Sequence, residues 1–134
     1  MDEEKRINEK KNAQELLVLL VDDDEMSRDI FEIVLQGGNI RVDKAESGKL
    51  ACDFVCQKKY DVIFIDHMMP EMDGIETLHM MRELPANKNH DTTVIALTAN
   101  TREDADAYYL NEGFDGFLAK PLNAGRLKEI IYKN

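Results

Sequence analysis

Short apolar runs punctuate the chain, and each ends in a polar or turn-forming stretch. Leu16–Val21 is six apolar residues without a break, the pattern of a parallel strand covered on both faces. Val62–Ile65 and Val94–Leu97 repeat it, Phe117–Ala119 is shorter, and Ile40-Arg41-Val42 reads as a brief strand. Between these runs the apolar period lengthens to three or four residues. Met26, Ile30, Ile33 and Val34 predict the core face of a helix ended by Gly37-Gly38-Asn39. Ser47 predicts the N-cap of a second helix that packs through Ala51, Phe54 and Val55. Ile75, Leu78, Met81 and Leu84 predict a third, ended by Pro85. Thr101 predicts the cap of a fourth, running through Asn111 and ended by Gly113. Leu122, Leu127, Ile130 and Ile131 line a fifth. Met69–Gly74 and 86–91 read as loops. Five strands alternating with five helices imply an α/β fold, a doubly wound parallel sheet with helices on both faces.

Length changes this picture little. At 134 residues the chain is one domain. Residues 1–15 are polar and read as a tail or linker, which leaves 16–134 as the fold. Charge matters more. Twenty-seven acidic against 17 basic residues give a net −10, which argues against direct binding to nucleic-acid phosphates and favours metal cations and basic surfaces. The longest apolar run is six residues, far short of the ~20 that span a bilayer, so no membrane contact is expected. Cys52 and Cys56 share one helix face and form neither a redox pair nor a metal-ligand pair. They read as small apolar groups at a helix–sheet contact, and the sparse cysteines suit a reducing cytoplasm.

The chemistry gathers where the strands end. Asp22-Asp23-Asp24-Glu25 follows the first strand, Asp66 closes the third, Thr98 the fourth, and Lys120 follows the fifth. In open α/β sheets that edge is where ligands bind. Asp22, Asp23 and Asp66 converging would repel unless a cation sat among them, and their hard oxygens select Mg²⁺ or Mn²⁺. Asp24 and Glu25 also suit a solvated helix start, where they complement the dipole. Lys120 could offset part of the charge and grip a phosphoryl oxygen. Its bond to Pro121 is a candidate for cis, against a base rate of ~5–6%. The Thr98 hydroxyl could donate to a phosphoryl oxygen or simply end its strand satisfied.

VDDDE at 21–25, IDHMMPEMDG at 65–74, LTAN at 97–100 and AKP at 119–121 occur in order. This set resembles the signature of the receiver domain of two-component response regulators, over residues 16–134. The resemblance implies a flavodoxin-like (βα)5 sheet of strand order 2-1-3-4-5, with the site at the switch point. It implies Asp66 as phosphoacceptor, a histidine kinase or histidine phosphotransfer domain as donor, and slow self-dephosphorylation. Mg²⁺ would be held by Asp23, Asp66 and the Met68 backbone carbonyl, with Asp22 acting mainly through a bound water. Thr98 and Lys120 would bind the phosphoryl oxygens. Thr98 and Phe117 would form the switch that alters the surface of the fourth helix, fifth strand and fifth helix, a surface that could also support a homodimer. Phe117 lacks the hydroxyl of the tyrosine common at its position, and His67 reads as an exposed loop residue. The side chains of Met68 and Asn100 would tune dephosphorylation. Of Tyr108 and Tyr109 one is expected in the core and the other at a partner surface.

Other classes fit less well. An aspartyl-phosphate phosphatase of the haloacid dehalogenase type wants a second carboxylate two residues after the nucleophile, where this chain has Met68. A flavin- or nucleotide-binding module wants a glycine-rich loop after the first strand, where this chain has three aspartates. A receiver that is never phosphorylated would not keep the complete set. The wording DHMMPEMDG and the lack of an effector segment lean toward the receiver of a hybrid kinase, and the starting Met1 leans toward a stand-alone regulator.

Overall fold

The computed structural model describes residues 15–99 and 102–133, so Asn100, the Thr101 cap and all but the end of the tail lie outside the described residues. The strands are β1 (Leu16–Val21), β2 (Ile40–Ala45), β3 (Val62–Asp66), β4 (Thr93–Thr98) and β5 (Gly116–Ala119). The helices are α1 (Glu25–Val34), α2 (Gly48–Gln57), α3 (Gly74–Glu83), α4 (Ala105–Glu112) and α5 (Ala124–Lys133). All strand pairs are parallel, in the order β2-β1-β3-β4-β5. The expected fold class and strand order hold.

Two cores flank the sheet because successive strand residues face opposite ways. Ile63 and Ile65 pack with Ala51, Val55, Leu78, Met81 and Tyr109 from α2, α3 and α4. Val62 and Phe64 pack with Phe31, Leu35, Leu127 and Ile131 from the α1 and α5 side. Cys52 is buried in the first core with Cys56 packed at its edge, and both are free thiols, as expected of apolar fillers.

Three elements depart from expectation. β2 runs three residues further than its apolar pattern, because its backbone pairs with β1 along the whole register from Leu16–Ile40 to Val21–Ala45 although only Ala45 of its side chains is fully buried. α4 starts at Ala105 rather than after Thr101; its N-cap Asp104 makes no side-chain cap bond, its carboxylate being held by Arg102 Nε at 2.7 Å. Gly113 ends α4 as predicted, with φ +107, a left-handed conformation that favours glycine.

The third departure is the face of α1. Phe31 is buried and Val34 partly so, and Leu35 just beyond the helix is buried. The predicted core residues Met26, Ile30 and Ile33 are 70%, 51% and 60% exposed. Both stripes have helical spacing, and the larger Phe31 with Leu35 claims the sheet. Residues 86–91 form a loop as expected, and within it Asn87 and Asn89 are buried. Asn89 accepts from Tyr60 N and the Thr92 hydroxyl, and donates to the Val55 and Lys58 carbonyls. It binds the loop before β4 to the end of α2.

Candidate functional site

Strand register assembles the site. Val21 pairs with Ile65, so Asp22 follows β1 at the level where Asp66 ends β3. Asp66 pairs with Leu97, which sets Thr98 one step further along β4. Thr98 pairs with Ala119, which brings Lys120 to the same edge. The Lys120 N–H then donates to the Thr98 carbonyl at 2.8 Å. Four residues spread over about a hundred positions thus meet because four parallel strands end together.

Local structure holds each group in place. Asp24 caps α1 by accepting from Ser27 N at 2.9 Å, which frees Asp22 and Asp23 to face the sheet edge. The Asp22 carboxylate accepts from Asp24 N at 3.0 Å, and its carbonyl accepts from Arg28 Nη1 at 2.9 Å. Just after β3, the His67 N–H donates to Leu97 O at 2.9 Å and the His67 carbonyl accepts from Gly74 N at 2.8 Å. Gly74 is required here by close approach: a Cβ would lie 2.4 Å from the Asp66 carbonyl oxygen. Within the loop, Glu71 has φ +66, and Asp73 caps α3 by accepting from Glu76 N at 2.9 Å. The Lys120–Pro121 bond is cis.

The charged groups converge as the residue types suggested. Carboxylate oxygens of Asp22, Asp23 and Asp66 all lie within 4.8 Å of one another. Lys120 Nζ is 3.2 Å from Asp22 Oδ2 and 3.2 Å from Asp66 Oδ1. Asp22 and Asp66 are buried, and Asp23 is exposed at the rim. Burial pushes the Asp66 carboxyl up to about 6, against the pull of Lys120 and with help from Asp22 and Asp23. Burial also opposes the Lys120 charge, yet the Asp66 and Asp22 carboxylates hold its ammonium above the ordinary lysine range. One lysine thus leaves three clustered carboxylates short of positive charge. A divalent cation with hard oxygen ligands fits that deficit and that donor set.

The remaining expected residues surround this cluster. Thr98 is buried at the end of β4. Met68 lies two residues past Asp66 in the β3–α3 loop with its side chain exposed. Phe117 is half-buried on β5, its ring stacked on Tyr109 at 5.7 Å. Tyr109 is the core-facing tyrosine, and Tyr108 is partly exposed beneath the Arg102 guanidinium at 4.2 Å. His67 is not the exposed loop residue expected. It is half-buried with Nδ1 2.8 Å from the Tyr109 hydroxyl. That pairing joins positions 42 residues apart and depends on how α4 packs, so local sequence carries no signal for it. A cleft beside Asp22 and Lys120 is lined by Ser27, Ile30, Pro121 and Leu122, and leads to the exposed face of α1.

Comparison with known proteins converges on one family. The family profile of the response regulator receiver domain matches residues 18–132. Hybrid signal transduction histidine kinase I of Dictyostelium discoideum is 31% identical over 119 residues, covering 85% of this chain and 7% of that protein. The transcriptional regulatory protein ResD of Bacillus subtilis is 34% identical over 111 residues, covering 83% of this chain and 44% of ResD. The chain therefore spans only a part of these relatives. In structure it is similar to the receiver domain of a sensor histidine kinase from Pseudomonas aeruginosa, which holds a magnesium ion in its active-site cleft. The TM-score is 0.77 at 28% identity, covering 89% of this chain and 96% of that one. With its strand order, its sheet-edge carboxylates and these matches, the chain belongs to the response regulator receiver domain family.

Proposed function

We propose that Asp66 is the phosphoacceptor of a His-Asp phosphorelay. The observation that carries this is the buried Asp66 carboxylate, with Lys120 Nζ at 3.2 Å and the Asp22 and Asp23 oxygens within 4.8 Å. Phosphoryl transfer asks a protein for positioning and charge neutralisation more than for covalent chemistry. In our reading an Asp66 oxygen attacks the phosphorus of a phosphohistidine. The P–N bond breaks, its electron pair returns to the donor imidazole, and an acyl phosphate forms. Asp66, Asp23 and the Met68 carbonyl would hold Mg²⁺ or Mn²⁺, with Asp22 acting mainly through water. When bound, the cation supplies the positive charge that three carboxylates and an incoming phosphoryl group require. Lys120 and the Thr98 hydroxyl bind the phosphoryl oxygens. Water later attacks the acyl phosphate, so the domain resets itself as a signalling element rather than turning over a substrate.

The donor is a histidine kinase or a histidine phosphotransfer domain. The exposed Met26, Ile30 and Ile33 on α1 support a docked partner, because the cleft that Ile30 lines also takes in Asp22 and Lys120 of the acceptor cluster. The response is read at α4, β5 and α5, where Leu110 is exposed and Phe117 lies half-buried, a surface that also suits a homodimer. We assign residues 16–134 to the receiver unit and 1–15 to a tail or linker. We place it in the cytoplasm, as a stand-alone regulator or as the receiver of a hybrid kinase. Among the described residues no helix is long and apolar enough to cross a membrane.

The test is intact mass after incubation with Mg²⁺ and acetyl phosphate, for the natural chain and Asp66→Asn. One added phosphoryl group is expected, dependent on Mg²⁺ and lost in the variant. An adduct that persists in Asp66→Asn would refute the assignment.

A further inference from the structure

We propose that Tyr109 is a positioning residue that couples the acceptor loop to the switch position on β5, through its hydroxyl on His67 and its ring on Phe117. The inference rests on Asp66 being the phosphoacceptor. It adds a connection that neither Thr98 nor the Phe117 ring supplies.

The coupling starts at a rigid point. His67 is bonded covalently to Asp66, and its backbone is pinned to β4 through Leu97 and to the start of α3 through Gly74. A displacement of the Asp66 peptide is therefore passed to the His67 ring with little backbone slack between. That ring does not point into solvent. Its Nδ1 lies 2.8 Å from the Tyr109 hydroxyl, and it meets the Tyr109 ring edge-on at 5.5 Å. The hydrogen bond closes with either partner as donor.

Tyr109 carries the contact onward. It is 1% exposed, and its ring stacks on Phe117 with a 28° interplanar angle. Phe114 and Tyr108 meet it edge-on at 5.8 and 5.1 Å. A ring held on three sides moves with its neighbours or not at all, because packed interiors are bistable rather than continuously soft. Phenylalanine at 109 would fill this space equally well. The hydroxyl adds a polar atom in the core that must be satisfied, and His67 satisfies it. Such a bond specifies one arrangement of loop against helix. Phe117 has no hydroxyl of its own, so in this chain a polar tie from the aromatic stack to the acceptor loop runs through Tyr109.

Tyr109→Phe removes the bond and keeps the packing, and His67→Phe does the same from the other side. Placing 4-fluorophenylalanine at position 117 alone, by codon suppression, gives a single ¹⁹F reporter that neither substitution duplicates. Each protein is titrated with Mg²⁺ and then with beryllofluoride, with Asp66→Asn as the non-binding control. Mg²⁺ affinity should stay within about twofold of the natural chain in both variants. The beryllofluoride-induced shift of Phe117 should fall at least twofold in each, and no further in the double variant. A purely structural tyrosine would lower the melting temperature and leave that shift unchanged, which would overturn the proposal. A natural chain that binds neither Mg²⁺ nor beryllofluoride would overturn it together with the acceptor assignment, and that result is distinct because Asp66→Asn would then behave identically.

Discussion

Replacing Asp66 by asparagine should stabilise the metal-free protein, and the gain should depend on pH in a way fixed by the site. Asp66 titrates at about 6 where an ordinary aspartate titrates at 3.8. Below about pH 3.8 the carboxyl is protonated in both folded and unfolded chains and costs nothing. Between the two values the unfolded chain ionises first, so the fold loses stability as pH rises. Above about 6 both states are ionised and the loss is complete. At about 1.4 kcal/mol per pH unit, the gap amounts to about 3 kcal/mol. The pull of Lys120 is already inside that net value. Asparagine keeps an oxygen for Lys120 Nζ, and Asp22 still faces the ammonium at 3.2 Å. Asp66→Asn should therefore unfold about 3 kcal/mol later at pH 8 in chelator, a rise of roughly 6–12 °C in melting temperature. The gain should shrink steadily toward pH 4. Urea titrations of both proteins from pH 4 to 8 measure the difference, and the subtraction removes the titrating groups that do not face Asp66. A gain equal at pH 4.5 and 8, or a loss at pH 8, would refute the electrostatic account of the site.

Further substitutions test parts of the framework. Gly74→Ala forces a methyl against the Asp66 carbonyl oxygen, with backbone on both sides, and should cost about 2 kcal/mol or more while weakening Mg²⁺ binding measured by calorimetry; an unchanged affinity would free the acceptor loop from α3. Asn89→Ala strips four hydrogen bonds and leaves the buried Tyr60 N–H without its acceptor, which should cost about 3 kcal/mol in urea denaturation. Ile30→Ser with Ile33→Ser should change stability by less than about 0.5 kcal/mol per site, whereas Phe31→Ala should cost about 3–5 kcal/mol. The serine pair should slow transfer from a phosphohistidine protein about tenfold or more and leave labelling by acetyl phosphate unaffected; equal slowing of both would remove α1 from donor docking.

The strands and the carboxylate cluster were legible because both follow from short-range signals. A parallel strand covered on both faces must be apolar throughout, and a polar residue that interrupts such a run marks its end. Once the strands are known, parallel alignment leaves Asp22, Asp66, Thr98 and Lys120 little choice but to meet. The cap at Ser47 and the stop at Gly113 were legible for the same local reason. β2 was only half legible, since a strand at the sheet's edge needs backbone partners more than apolar side chains.

What stayed hidden depends on competition between distant surfaces. In α1 and its C-cap, Met26, Ile30 and Ile33 form a stripe as regular as that of Phe31, Val34 and Leu35, and only the shape of the sheet face chooses between them. The choice is decided by volume: a phenylalanine ring meeting Phe64 edge-on at 5.3 Å fills the groove better than an isoleucine. The rejected stripe is then forced outward and becomes the apolar face beside the acceptor. The same logic governs Asn89 and His67. Each is polar and lies in a loop, which favours solvent when read locally. Each is instead drawn inward by groups that packing has already buried, the Tyr60 N–H and the Val55 carbonyl in one case and the Tyr109 hydroxyl in the other. Local polarity predicts exposure only where no buried partner is waiting. In this chain the exceptions lie beside the acceptor and at the opposite end of β4, where loops must be held as firmly as strands.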